Sequence, residues 1–428
     1  MRYPVRLAMR IFFRKIYLIN QSNAQDSGPV IYACTHPNSF LDDTLMATMS
    51  NRPLNFLARG DVFKKSWSRV ILSAFNIHPI YRASEFKNDL NKNDESFAIS
   101  RTILSNNGVI IIHPEGLCVN EKRVRPLRKG IGRIAFGAEE ENNWNLNLKI
   151  VPVALNYTNA PKAGEDVIIV FGSPISMEIY RELYQANKPK ALIELNHEIR
   201  ASLLKNSIII QDPINDDVIN DCLQIGRNDI KQNKASTIST DRSQLDIEQN
   251  IANRLNRMAE DDAPSFKDLT LQVETYFHKL KTHEMLDLSL SKSSTNRSVL
   301  DFGLFCFKNT FLLIGYYLNI LPYLWAKKIV NKKVKLIEFS ASVLFTLCLL
   351  IFGILYGIIL IISAIFLGWW GLLLFIALII IAYRTPKYLR NWNHFKSSWR
   401  MFALKRDQPN ELKNLETLRN KISAQLGK

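Results

Sequence analysis

Between Glu338 and Arg384 the chain runs for 45 residues, 339–383, without a charged side chain. No other stretch restricts the fold so tightly. A single helix of that length would measure about 68 Å at 1.5 Å per residue, against a hydrocarbon core of about 30 Å. Two antiparallel helices joined at Gly368-Trp369-Trp370-Gly371 fit instead, and the paired tryptophans suit the boundary that such a turn would occupy. A transmembrane hairpin over 337–385 is therefore expected. Lys327, Lys328, Lys332, Lys333 and Lys335 precede the run, and Arg384, Lys387, Arg390, Lys396 and Arg400 follow it. Basic flanks on both sides predict an integral membrane protein with both hairpin ends in the cytoplasm.

The segment before the hairpin, 301–336, is apolar but short and contains Asn319 and Pro322. It reads as an interfacial or re-entrant segment. After the hairpin, 386–428 reads as a cytoplasmic tail. Leu412, Leu415, Leu418, Ile422 and Leu426 recur there at helical spacing, which predicts an amphipathic helix. At the opposite end, Arg2, Arg6, Arg10 and Arg14 recur every fourth residue. That spacing excludes a signal-peptide core and predicts a basic amphipathic helix over 1–20 lying in a membrane interface.

The whole chain carries 55 Lys and Arg against 39 Asp and Glu, a formal charge of +16. Such an excess points to anionic partners, phosphate groups or acidic lipid headgroups. Nucleic acid is disfavoured, because no recognisable binding module accompanies the charge. The five cysteines are dispersed, with no CxxC pair. They read as reduced thiols in a cytosol-facing protein, and no metal site is expected.

Between the termini, short apolar runs alternate with longer helical patterns. Strands are expected at 30–34, 54–58, 77–81, 109–113, 150–155 and 167–171, and helices near 42–50, 61–75, 94–106 and 130–141. That alternation predicts an α/β domain with a largely buried sheet, over 21–212. A helix-rich, polar region follows at 213–300, with an exposed linker near 227–243.

Four patches within the α/β region carry chemistry. His36-Pro-Asn-Ser-Phe-Leu-Asp42 follows an apolar run and opens a helical pattern, placing an imidazole near a carboxylate, the pairing of a general base with its orienting group. Asp43 is the competing carboxylate. His78-Pro-Ile-Tyr-Arg82 and His113-Pro114-Glu115-Gly116 both fall at strand ends, the latter followed by Lys122, Arg123, Arg125, Arg128 and Lys129. Ile150-Val151-Pro152-Val153 is a strand interrupted by proline. Taken singly, each has an ordinary reading: a surface histidine, an ion-paired arginine, a turn, a solvated basic loop.

Together, in this order, the patches resemble the blocks of the glycerolipid (PlsC-like) acyltransferase family, nearest its glycerol-3-phosphate and lysophosphatidate acyltransferase members. The resemblance covers about 1–180 and implies a mixed sheet flanked by helices. It implies transfer of a fatty acyl group from acyl-CoA or acyl carrier protein to glycerol 3-phosphate or 1-acylglycerol 3-phosphate at a bilayer. No cofactor is implied beyond the acyl donor. His36 would be the general base and Asp42 its orienting acid. Arg82 would bind the acceptor's phosphate, Glu115 would orient the acceptor, and Gly116 would let the backbone approach it. Pro152 would shape the acyl-binding wall.

Two departures from the family pattern stand out. Five residues separate His36 from Asp42 where four are usual, and Leu117 and Cys118 replace the Thr-Arg that often follows the third-block glycine. Arg125 or Lys129, beside Arg128, would then supply the missing cation. These departures keep two alternatives open: another lysolipid or amino-lipid acceptor, or a lipid-binding relative without activity.

Overall fold

The structure, a computed structural model, describes residues 2–80, 90–230, 237–291 and 299–427, with side chains throughout these except at 2, 90–94 and 299–315. The chain divides into two compact units. One comprises Met1–Ser207, Ile238–Asp241 and Leu336–Ser342; the other comprises Ile208–Thr237, Arg242–Lys335 and Val343–Lys428.

The first unit is built on a mixed sheet of β1 (Lys15–Ile19), β2 (Val30–Cys34), β3 (Asn55–Arg59), β4 (Ile77–Ile80), β5 (Val109–Ile112), β6 (Lys149–Tyr157), β7 (Asp166–Phe171), β8 (Ile175–Ser176) and β9 (Ile238–Ser239). The strand order is β4-β3-β5-β2-β6-β7-β1-β9, with β8 paired to β6. Neighbours run parallel except where β7 and β8 meet β6. The central strands are near-continuous apolar runs, Val-Ile-Tyr-Ala-Cys in β2 and Val-Ile-Ile-Ile in β5, as expected of strands covered on both faces. The helices of this unit are α1 (Arg2–Phe12), α2 (Phe40–Met49), α3 (Ser66–Ala74), α4 (Leu90–Ser105), α5 (Gly130–Glu141), α6 (Arg181–Ala186) and α7 (Lys188–Asn206). The expected mixed sheet flanked by helices is present.

Three expectations for this unit need correction. The N-terminal helix does not extend over 1–20: it stops at Phe12, and 15–19 form β1, buried between β7 and β9. Arg14 therefore leaves the basic stripe. Its guanidinium grips Asp166 through two bonds of 2.7 and 2.5 Å. Burial works against the charge, but the Asp166 carboxylate outweighs it and raises the Arg14 pKa. Second, Pro152 does not interrupt its strand. β6 runs on through nine residues, and the Pro152 carbonyl accepts the Gly172 N–H at 2.8 Å. Third, the polar stretch near 227–243 is not simply a linker, since Ile238 and Ser239 add an edge strand to β1.

The second unit is helical: α8 (Asp216–Asn228), α9 (Ser243–Asp261), α10 (Ala263–Thr282), α11 (Val299–Lys333), most of α12 (Ser340–Leu367), α13 (Trp369–Asp407) and α14 (Pro409–Gln425). α12 and α13 are long and apolar enough to cross a membrane. The chain reverses at Gly368, whose φ of +52° favours glycine. A Cβ on Gly371 would lie 2.0 Å from the Ser363 carbonyl oxygen, so the two helices meet closely only because glycine stands there. Ile354, Ile365, Phe366, Trp369 and Trp370 are exposed, which a core helix of a water-soluble protein would not permit.

The boundaries around this hairpin also change. α11 is one continuous helix and lacks the break of a re-entrant segment. Asn319, the polar residue that argued against a helix spanning there, is buried and accepts a 3.0 Å bond from the Tyr356 hydroxyl of α12. The second hairpin helix does not end near 385. It continues through Pro386 to Asp407, so the tail 386–428 is the second half of α13 followed by α14.

Candidate active site

Three neighbouring parallel strands deliver the site. β5, β2 and β6 lie side by side, and at or just beyond their carboxyl ends stand His113, His36 and Tyr157. Strand ends of an open α/β sheet are where loops diverge and leave room for a ligand. Register places Ala33 beside Ile112 and Cys34 beside Val153, which levels the first residues of the two histidine loops.

His36 and Asp42 come together as the spacing implied. His36 Nδ1 lies 3.0 Å from Asp42 Oδ2. The Asn38 N–H donates to that same oxygen at 2.9 Å, and the Tyr157 hydroxyl donates to Oδ1 at 2.6 Å. With two donors already aimed at this fully buried carboxylate, His36 Nδ1 takes the third place as a donor. Nε2 then keeps its lone pair, and no hydrogen bond engages it among the described residues. The ring is mostly covered, at 17% exposure.

Between His36 and Asp42, Ser39 has a φ of +50°, in the left-handed region that serine rarely occupies. The kink starts α2 with Asp42 in its first turn, facing back to the imidazole. Several bonds hold the loop in this shape. Asn38 Nδ2 donates to the Ala160 carbonyl at 2.8 Å, and the Ser39 N–H points at Cys118 Sγ at 3.1 Å. The hydroxyl of Ser342 accepts the Leu41 N–H at 3.1 Å and donates to the Asn38 carbonyl at 2.7 Å. The Val119 N–H closes the ring of contacts on the His36 carbonyl at 3.2 Å. Cys118 and Val119, just beyond the third-block glycine, thus make contacts that fasten the histidine loop.

Burial raises both thiols near the site, with the neighbouring aspartates adding to the effect; Cys118 is pushed up to about 12. Neither is a thiolate at neutral pH, so neither offers a ready nucleophile.

The third block is organised around the basic loop. Glu115 is buried, which pushes its carboxyl above the usual range, and its Oε2 accepts the Arg125 N–H at 2.9 Å. Gly116 has φ +70°, and a Cβ there would lie 2.5 Å from Arg128 Cδ. In this structure the close approach at Gly116 is made by Arg128. The Arg125 guanidinium pairs with Glu121 Oε1 at 2.5 Å while Arg123 takes Oε2 at 3.1 Å. Lys129 is exposed immediately before α5. Arg82 lies outside the described residues.

Sequence reasoning missed Tyr157, the hydroxyl of Ser342 and the partnership of His113. Only position at a strand end could have flagged Tyr157 and His113. Tyr157→Phe removes one donor from the buried Asp42 carboxylate while keeping the ring. A hydrogen bond to a charged acceptor is worth about 1.5–3 kcal/mol, and a melting temperature lower by about 5 °C is expected. Intrinsic-fluorescence melting of detergent-solubilised protein checks this, and an unchanged midpoint would show that the bond adds nothing.

Over part of its length the chain is similar to known proteins. Residues 15–156 match the family model described as Acyltransferase. Over 94 residues the chain is 34% identical to Glycerol-3-phosphate O-acyltransferase 1 of Saccharomyces cerevisiae, a match covering 22% of this chain and only 12% of the yeast protein. Among solved structures, the 1-acyl-sn-glycerophosphate (LPA) acyltransferase PlsC of Thermotoga maritima superposes over 47% of this chain and 78% of its own, with 12% identity and a TM-score of 0.33. The segment that matches the Acyltransferase model holds His36, Asp42, Glu115 and the whole basic loop.

Proposed function

We propose that the protein is a membrane-bound O-acyltransferase that moves a fatty acyl group from acyl-CoA or acyl carrier protein to glycerol 3-phosphate or 1-acylglycerol 3-phosphate. The observation that carries this reading is the His36–Asp42 pair at the strand ends of a segment that matches the Acyltransferase family model, with the Nε2 lone pair unengaged among the described residues. His36 Nε2 accepts the proton of the acceptor hydroxyl as its oxygen attacks the thioester carbonyl. The tetrahedral adduct collapses, the carbon–sulfur bond breaks, and the thiolate takes the proton back from the imidazolium. Ester and free thiol are the products. Asp42 holds the ring and offsets its transient charge, in the manner of the acid in a Ser-His-Asp triad. The reaction as written uses no metal or organic cofactor.

The basic loop 122–129 supplies cations for a phosphate acceptor or for the phosphates of a coenzyme. Arg82, by family resemblance, is the acceptor's main phosphate ligand, and Arg125 supplements it by sharing its fork between Glu121 and the phosphate. The basic flanks of the hairpin orient both its ends, and the active site, toward the cytoplasm. Acyl chains and lysolipids partition into bilayers, so an anchored site meets them at high local concentration.

The test is acyl transfer by the purified full-length protein in lipid nanodiscs. Glycerol 3-phosphate and lysophosphatidate would be compared as acceptors, with acyl-CoA and acyl carrier protein as donors. No transfer to either acceptor from either donor would overturn the reading. Within that assay Arg125→Ala is expected to raise KM for the phosphate acceptor about tenfold with kcat little changed, the mark of lost ground-state binding. An unchanged KM removes Arg125 from the acceptor site.

A further inference from the structure

The two consecutive aspartates of the first block hold two different histidines. While Asp42 takes His36, Asp43 Oδ1 lies 2.9 Å from His113 Nε2. The other nitrogen of that ring, Nδ1, lies 3.1 Å from the Cys34 carbonyl oxygen. Both acceptors lack a proton to give, so both nitrogens of His113 act as donors and the ring is an imidazolium. This ring lies flat against His36, with centroids 3.7 Å apart and planes 14° from parallel. The site therefore contains a stack of two imidazoles from two loops, each with its own carboxylate from the first turn of α2.

We propose that the Asp43–His113 pair is a positioning pair: it fixes the plane of the His36 imidazole, and Asp43 acts on His36 only through the ring of His113. The hydrogen bond to Asp42 restrains one edge of His36 but leaves rotation about that contact. A flat neighbour at stacking distance removes that freedom and keeps Nε2 on its course to the acceptor. Pinning His113 needs both of its bonds. One comes from the backbone of β2, the strand that leads into His36, and the other from the helix that carries Asp42. Asp43 has a second effect. When His36 takes its proton, two cationic rings face each other, and a carboxylate on each keeps the stack close to neutral. Burial works against charge on His113, but Asp43, by charge and by hydrogen bond, outweighs it and raises the pKa.

This inference rests on the proposed acyl transfer, and its test is arranged to separate the two. His113→Leu fills the same space without a flat ring or N–H groups; His113→Phe restores the flat ring alone. In the acyl-transfer assay His113→Leu is expected to lower kcat about 10- to 100-fold, with KM for donor and acceptor within about twofold, since misplacing a reacting group by about 1 Å can cost 10²-fold. His113→Phe is expected to recover kcat to within about threefold of the native enzyme. Asp43→Ala, which frees the His113 ring, is expected to lower kcat about tenfold in the native background and not at all in the His113→Phe background.

If His113→Leu turns over at the native rate, if His113→Phe is as slow as His113→Leu, or if Asp43→Ala costs the same in both backgrounds, the inference is overturned. In those cases an active native enzyme and an inactive His36→Ala variant leave the acyltransferase reading standing. A native enzyme without transfer overturns both.

Discussion

Replacing His36 by alanine is expected to lower kcat for acyl transfer by about 10²–10⁴-fold, with KM for donor and acceptor moved less than about threefold. That range is what a positioned general base contributes. The split between kcat and KM follows because the imidazole exchanges a proton in the transition state and need not bind the ground state. In the structure the ring is held by Asp42 on one edge and stacked on His113, with no hydrogen bond to Nε2 among the described residues. Neither nearby thiol can take over, because burial keeps both protonated at neutral pH. Steady-state kinetics in nanodiscs measures the effect. A His36→Ala enzyme that turns over at the native rate would remove His36 from the chemistry and require another base.

The second large effect belongs to the helical unit and to stability. Arg419 on α14 is buried, with its Nε 2.8 Å from Asp287 Oδ1 and one terminal nitrogen 3.2 Å from Asp287 Oδ2 and 2.9 Å from Asp229 Oδ1. Tyr276 and Asn228 complete Asp287 at 2.6 and 2.8 Å. Burial disfavours the guanidinium charge, but the two aspartates outweigh it and raise its pKa. Arg419→Ala would leave two carboxylates buried without their cation. Breaking such a cluster from one side costs about 3–5 kcal/mol. A melting temperature lower by about 10 °C is expected, read by the unfolding of detergent-solubilised protein. Arg419→Lys keeps the charge but loses the planar fork, and should fall between the two. Native-like melting of Arg419→Ala would show that the cluster contributes little.

That cluster also shows where periodicity reaches its limit. Leu412, Leu415, Ile422 and Leu426 are buried along α14, as their spacing implied. The same buried side includes Arg419, which a hydrophobic pattern assigns to solvent. Its partners are 132 and 190 positions away and could not be read from the helix itself. The N-terminus gives a similar lesson. Arg2, Arg6 and Arg10 fall within α1, whereas Arg14, on the same four-residue spacing, lies beyond it and pairs with Asp166. A repeat of charges does not reveal where a chain leaves its helix to join a sheet.

Much of the site was legible nonetheless. His36 and Asp42 lie six positions apart, and a strand-to-helix turn leaves few ways to arrange them. Between them Ser39 adopts a left-handed conformation, and the pair meets at 3.0 Å.

By itself the sequence determined what depends on neighbours along the chain. The apolar run of 45 residues required two long helices with a break at Gly368. The alternating pattern required a buried sheet, and the strand-end motifs located the His36–Asp42 pair. Only the tertiary structure decided the contacts that depend on strand order. Tyr157 reaches Asp42 across 115 positions, and His113 reaches Asp43 across 70, because β5 and β6 flank β2. The choice between the two aspartates had the same origin. Successive residues on a helix point about 100° apart, so Asp42 and Asp43 could not both face His36, and His113, just beyond β5, settled what the second one holds.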